Sequence, residues 1–201
     1  MPSIYDIKPA FQSLLRPVTR GLASAGVTAN QVTVAAAVLS AGVGACVALA
    51  PNASWPLLLM PGFLFVRMAL NAIDGMLARE HGMKSNLGAV LNELGDVVAD
   101  TALYLPLALV PGFHAPAVVV LCLLSIISEM AGVVAVQIGA TRRYDGPLGK
   151  SDRAFLFGLL ALLAGCGVPL DAWLPWVLWL AVALLVVTIL NRSRKALASL
   201  R

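Results

Sequence analysis

Carboxylates recur at helical spacing in the middle of this chain, inside segments too apolar to hold them casually. Asp74 stands at the end of one apolar run, Glu93, Asp96 and Asp100 in the next, and Glu129 deep in a third. An ionisable group at membrane depth is expensive and needs a partner or a purpose. Arg67, Asn71 and Asp74 follow one another at steps of four and three, which places them on one helix face. Gly88, Asn92, Asp96 and Asp100 repeat every four residues. They form a slowly rotating polar stripe with a glycine at its mouth. Two helices joined by a short loop would bring Asp74 near Asn92 and Asp96. Carboxylates that close cannot all ionise unless a cation neutralises them. Oxygen-only ligands suit magnesium, manganese or calcium. Arg67 and Glu129 carry two readings: a role in that chemistry, or an ion pair (Arg67 with Asp100 or Glu129) that holds helices together.

The elements that position these groups follow from length and composition. Of 201 residues, 60% are hydrophobic and 12% charged, against roughly 25% charged in an average soluble domain. A span needs about 20 mostly apolar residues. Six stretches qualify: 31–50, 55–72, 88–110, 115–138, 154–170 and 173–190. Pro51, Pro111 and Pro169 mark short turns between them. The expected fold is all-α: a polytopic membrane bundle of about six transmembrane helices, with residues 1–201 forming a single domain. Residues 1–25 are expected to lie at the interface as an amphipathic helix, because Ile4, Ile7, Phe11, Leu14 and Leu15 share a face. Pro9 is a point where that helix could break. Asp6, Lys8, Gln12, Arg16 and Arg20 argue against a signal peptide there. Cys46, Cys122 and Cys166 stand singly in apolar runs and suggest no metal site.

Orientation comes from lysine and arginine. They precede the first span (Lys8, Arg16, Arg20), join the second to the third (Arg79, Lys84) and join the fourth to the fifth (Arg142, Arg143, Lys150, Arg153). They also follow the sixth (Arg192, Arg194, Lys195, Arg201), while the loops near Pro51, His114 and Asp171 have none. Both termini are expected in the cytoplasm of a bacterium, with the chain in its inner membrane. The positive charge is a topology signal that also suits anionic lipid head groups, not nucleic acid.

The segment from Asn71 through Asp74, Gly75, Ala78 and Arg79, then eight residues to Gly88, resembles the signature of the CDP-alcohol phosphotransferase family. That pattern reads Asp-x-x-Asp-Gly-x-x-Ala-Arg, about eight residues, then Gly-x-x-x-Asp-x-x-x-Asp. Residues 27–33, Val-Thr-Ala-Asn-Gln-Val-Thr, also resemble the family's Thr-Pro-Asn-x-x-Thr lead-in, with alanine for proline. The resemblance implies a CDP-alcohol donor such as CDP-diacylglycerol and an alcohol acceptor, with release of CMP. It implies a divalent cation, Mg2+ or Mn2+, held by Asn71, Asp74, Asn92 and Asp96. It implies a CDP site at Asn30, Thr33, Gly75, Ala78, Arg79 and Gly88. Gly75 and Gly88 lack a Cβ, so a flat base or a phosphate can approach the helix backbone. The departures are Asn71 and Asn92, where the family has aspartates. An amide oxygen still ligates a hard cation but brings no charge. Either Asp96 is the terminal acid and general base, or the motif is shifted one turn and Asp100 is the base. Glu93 is a further substitute.

The loop between the fourth and fifth spans offers Arg142, Lys150 and Arg153 for an acceptor or lipid phosphate, or simply as topology charges. Ser151 or Asp152 can cap the following helix. Expected partners are the CDP-alcohol, the alcohol acceptor, membrane lipids and a second copy of the chain as a homodimer. Two alternatives stand beside the transferase: a family member without chemistry, and an ion-coupled transporter using Arg67, Asp100 and Glu129 as a relay. The short chain and the lack of an inverted repeat speak against transport.

Overall fold

The computed structural model describes residues 4–200, with side chains from residue 10 onward. Met1–Ser3, Arg201 and the Ile4 and Ile7 side chains lie outside the described residues. The described chain forms seven α-helices: α1 (Ile4–Ser24), α2 (Ala29–Leu49), α3 (Ser54–Glu80), α4 (Asn86–Tyr104), α5 (Ala115–Gln137), α6 (Lys150–Gly165) and α7 (Leu174–Ala198). No strand occurs among the described residues. The protein is an all-α integral membrane protein. Four helices, α2, α3, α5 and α7, are long and apolar enough to cross a membrane by length and composition alone. The helices depart from the six expected spans: α3 runs on to Glu80 and α7 to Ala198, beyond the expected ends near residues 72 and 190. Helix α6 has 16 residues and stops at Gly165 rather than near Leu170. The third span leaves α-geometry at Tyr104 and continues as a 3-10 turn over Leu105–Leu109. Pro106 lies in that turn, and its missing N–H cannot close an α-helical hydrogen bond. Helix α1 runs through Pro9 without interruption.

The helix starts are set by side chains. Thr28 and Gln31 form a reciprocal cap on α2: Thr28 Oγ1 accepts from the Gln31 N–H at 3.3 Å, and Gln31 Oε1 accepts from the Thr28 N–H at 2.9 Å. Ser85 caps α4, its Oγ accepting from Gly88 N at 2.9 Å. Asp152 braces α6 by accepting from Gly149 N at 2.8 Å, while Ser151 stands within the first turn.

The chain clusters into two compact units. The first comprises residues 4–42 and 62–99. Its core joins Ala29, Val32, Ile73 and Leu77, with Leu15, Leu22 and Val27 packed against them. Phe11 meets Phe65 edge-on at 5.9 Å. The second comprises residues 43–61 and 100–200. There Tyr104 stacks on Phe157 at 4.4 Å, both 1% exposed. Large apolar side chains such as Leu123, Met130, Trp176 and Leu180 point outward, while Arg153, Arg192 and Glu129 are buried. That inversion is expected of a body solvated by lipid, where polar groups gather inside.

Candidate active site

Within the first unit, the ends of α2, α3 and α4 enclose an open cavity of about 540 Å³. All six residues expected to hold CDP line it: Asn30 and Thr33 from α2, Gly75, Ala78 and Arg79 from α3, and Gly88 from α4. Asp74, Asn92 and Glu93 line it too. Lys84 and Ser85 of the α3–α4 connection and Asn86, the first residue of α4, also line it. Lys84 was legible only as a topology charge, yet it lines the same cavity as Arg79. Its position one residue before a helix-capping serine is the signal that would have marked it.

The two glycines of the motif have definite neighbours. A Cβ on Gly75 would lie 3.0 Å from Arg79 Nη2 and 3.1 Å from Nη1, so the guanidinium lies across the bare backbone there. A Cβ on Gly88 would lie 2.8 Å from Asn30 Oδ1 and 3.1 Å from Ser85 Oγ. The absent side chains therefore let Arg79 and Asn30 take their places.

The acidic groups divide. Asp74 is buried, and its Oδ2 accepts from Thr33 Oγ1 at 2.8 Å. Asp96 Oδ1 accepts from Asn71 Nδ2 at 3.2 Å and lies 3.5 Å from Arg67 Nη2. Arg67, 4% exposed, also donates to the Asp96 carbonyl at 3.3 Å. Asn71, Arg67 and Asp96 thus form one polar link between α3 and α4, in which Arg67 is buried and the other two are half-buried. Asp100, four residues further along α4, belongs to the second unit, where its Oδ2 lies 3.8 Å from Arg153 Nη2.

No group of three His, Cys, Asp or Glu converges among the described residues. The residues expected to hold a cation are two carboxylates, Asp74 and Asp96, with the amides of Asn71 and Asn92; Asp74 and Asn92 line the cavity, whereas Asn71 and Asp96 are not among its lining residues. Asn71 spends its N–H on Asp96, which leaves its carbonyl oxygen as a ligand. Donors that are all hard oxygens fit Mg2+ or Mn2+ and do not suit a soft metal.

In the second unit, Glu129 on α5 gathers three arginines. Arg153 Nη2 lies 2.9 Å and Arg192 Nη1 3.4 Å from its Oε1, and Arg142 Nη2 lies 3.4 Å from its Oε2. The expected phosphate ligands Arg142 and Arg153 therefore meet here, while Lys150 stands half-buried at the first residue of α6. Arg192 was counted from sequence as a tail charge. It lies inside α7 and is 1% exposed.

The family profile of CDP-alcohol phosphatidyltransferases matches residues 26–188. The chain is 46% identical over 200 residues to the inner membrane protein YnbA of Escherichia coli (strain K12), covering 97% of this chain and 96% of that one. It is 26% identical to the phosphatidylinositol phosphate synthase of Mycobacterium tuberculosis (strain ATCC 25618 / H37Rv), over 92% of this chain and 86% of that one. The crystal structure of the Mycobacterium tuberculosis phosphatidylinositol phosphate synthase with CDP-DAG bound superposes with a TM-score of 0.74 at 23% identity, covering 90% of this chain and 92% of that one. The form in complex with manganese and citrate gives 0.75 at 23% identity, over 90% and 87%.

Proposed function

The chain belongs to the CDP-alcohol phosphatidyltransferase family and is a membrane transferase of phospholipid synthesis that uses a divalent cation; from that premise we propose how its own residues divide the work. The observation that carries the assignment is the single cavity lined by Asn30, Thr33, Asp74, Gly75, Ala78, Arg79, Gly88 and Asn92. A CDP-alcohol such as CDP-diacylglycerol sits there, with its base and phosphates against Arg79 and Asn30, which the missing side chains of Gly75 and Gly88 leave room for. Arg79 and Lys84 meet its phosphates. Thr33 holds Asp74 in one rotamer through its hydroxyl. Bound Mg2+ or Mn2+, held by Asp74, Asp96, Asn71 and Asn92, would neutralise charge on the donor's pyrophosphate.

The acceptor hydroxyl attacks the β-phosphorus. A new oxygen–phosphorus bond forms, the bond to the CMP oxygen breaks, and CMP leaves with the electron pair. Asp96 takes the hydroxyl proton. We favour Asp96 over Asp100 because Asp96 is linked to Asn71 of the motif in the first unit, whereas Asp100 is linked to Arg153 in the second. Both termini and the basic loops face the cytoplasm across a bacterial inner membrane, as their lysines and arginines support. The non-catalytic and transporter readings are not favoured by the family match.

The test is a metal titration of CMP release from CDP-diacylglycerol for Asn92→Asp, Asp96→Asn and Asp100→Asn. Asn92→Asp is expected to lower the metal concentration needed. Asp96→Asn is expected to cost about 10²–10⁴-fold in rate. If Asp100→Asn alone abolishes turnover while Asp96→Asn only weakens metal binding, Asp100 is the base.

A further inference from the structure

A helix bundle that needs to bury one arginine needs one carboxylate beside it. Glu129 has three arginines on it, contributed by the α5–α6 loop (Arg142), α6 (Arg153) and α7 (Arg192). Arg153 and Arg192 are each 1% exposed. Asp100 also lies near Arg153, its Oδ2 3.8 Å from Nη2. The donors of the cluster are not used up. Arg153 Nε, Arg192 Nε and Ser128 Oγ are buried without a hydrogen-bond partner. Arg192 Nη1 donates to the Ser128 carbonyl at 2.6 Å as well as facing Glu129 at 3.4 Å. As a purely structural device this is wasteful, because every desolvated donor left unmade costs stability. Converging forks around one anion are the geometry that recognises phosphate.

We propose that Glu129 is a built-in anion filling an arginine pocket that would otherwise hold a phosphate, so that the acceptor alcohol taken by this chain carries no phosphate group. This rests on the transferase reading above, and it revises the expectation that Arg142 and Arg153 grip an acceptor phosphate. The physics is exclusion by like charge: the Glu129 carboxylate uses the guanidinium forks and, with Asp100, repels a second anion.

The experiment measures binding of inorganic phosphate to the purified full-length protein in detergent, without divalent metal, by calorimetry and by thermal shift. Wild type is expected to bind phosphate only weakly. Glu129→Gln keeps the shape, removes the charge and should bind phosphate about 10–100-fold more tightly than wild type, in a salt-dependent way. Glu129→Ala, if unstable alone, should be rescued by phosphate and not by chloride of equal ionic strength. Wild type that binds phosphate as well as either variant overturns the proposal, as do variants that only lose stability. A second arm offers wild type a panel of alcohols with CDP-diacylglycerol. CMP release with phosphate-free alcohols and not with alcohol phosphates supports the proposal, and the reverse preference overturns it. Release with no alcohol at all, alongside a gain of phosphate binding in Glu129→Gln, removes the transferase reading and leaves the pocket assignment standing.

Discussion

Gly88→Ala isolates the donor cavity from the stability of the fold. The new methyl would lie 2.8 Å from Asn30 Oδ1, where ordinary contact begins near 3.4 Å, so Asn30 must retreat by roughly half an ångström. Asn30 Oδ1 is the end of a side chain, and the retreat costs little in itself. The methyl also presses on Ser85 Oγ at 3.1 Å, the atom that caps α4. Weakening that cap costs about 1 kcal/mol, and replacing glycine by alanine within a helix returns about 0.5–1 kcal/mol. The two nearly cancel, so the melting temperature should hardly move. Function should not be spared. A side chain displaced by about half an ångström in a site that orients its substrate should cost about tenfold, or ~1.4 kcal/mol. The assay is CMP release against CDP-diacylglycerol concentration, with the loss appearing mainly in KM for the donor. Gly62→Ala is the control: it lies on α3 of the same unit, and its Cβ would meet nothing within 4 Å. An unchanged donor KM in folded Gly88→Ala, or an equal loss in Gly62→Ala, refutes the placement of the donor.

Phe157→Ala removes a ring stacked on Tyr104 in the second unit. The cost should fall at or below the ~3–5 kcal/mol of a soluble core, because lipid rather than water solvates the unfolded reference; a melting temperature within a degree of wild type would contradict the packing. The Asp145 carboxyl is held below the ordinary carboxylate range by its hydrogen bond from Lys195, at 2.6 Å. A depressed acid stabilises above its unfolded pKa of ~3.9 and loses that contribution as pH falls through the folded value. Hydrogen exchange in the 138–149 loop, corrected for intrinsic rate, should therefore be flat from neutrality down to about pH 5 and rise only below ~4; a rise already at neutral pH would disprove the anchor. The effect should be small, because the pair is largely exposed and screened. Reporters fused at the C-terminus or inserted near Lys84 and Gly146 should read cytoplasm, and those near His114 or Asp171 the opposite side. A C-terminus accessible from outside intact cells would reverse the topology.

The lining of the cavity was legible through the resemblance of residues 27–33 and 71–88 to the family motif, whose parts lie close together along the chain. Thr28 and Gln31 cap a helix three residues apart, Gly75 and Arg79 share one turn, and Gly88 and Asn92 the next. Such relations follow from helix geometry once the helix is recognised. Partners on different helices were not legible to the same degree. Arg67 was paired in expectation with Asp100 or Glu129, whereas the Asp96 carboxylate, 3.5 Å from its Nη2, was not foreseen as a partner. Arg192 looked like a topology charge because hydropathy falls off around it, yet α7 continues to Ala198 and carries it inward. The presence of Glu129 in α5 demanded a cation, but nothing local could say that there would be three.

The two registers of the acidic stripe show where periodicity itself runs out. A step of four residues advances an α-helix by about 400°, so each repeat of the stripe drifts only ~40° around the axis. Asp96 and Asp100 therefore share a face as far as sequence can tell. In the structure Asp96 meets Asn71 and Arg67, and Asp100 lies near Arg153. Asn71 in turn explains how the site tolerates an amide where the family has an acid. An aspartate there would press a second negative charge against Asp96, whereas the amide donates a hydrogen bond to it at 3.2 Å. The substitution at position 71 removes charge from the cation site and holds the proposed base in place, so Asn71→Asp should tighten metal binding while loosening the orientation of Asp96. Higher metal affinity with lower maximal turnover is the signature of that trade, and a rise in both would mean that the amide does nothing for Asp96.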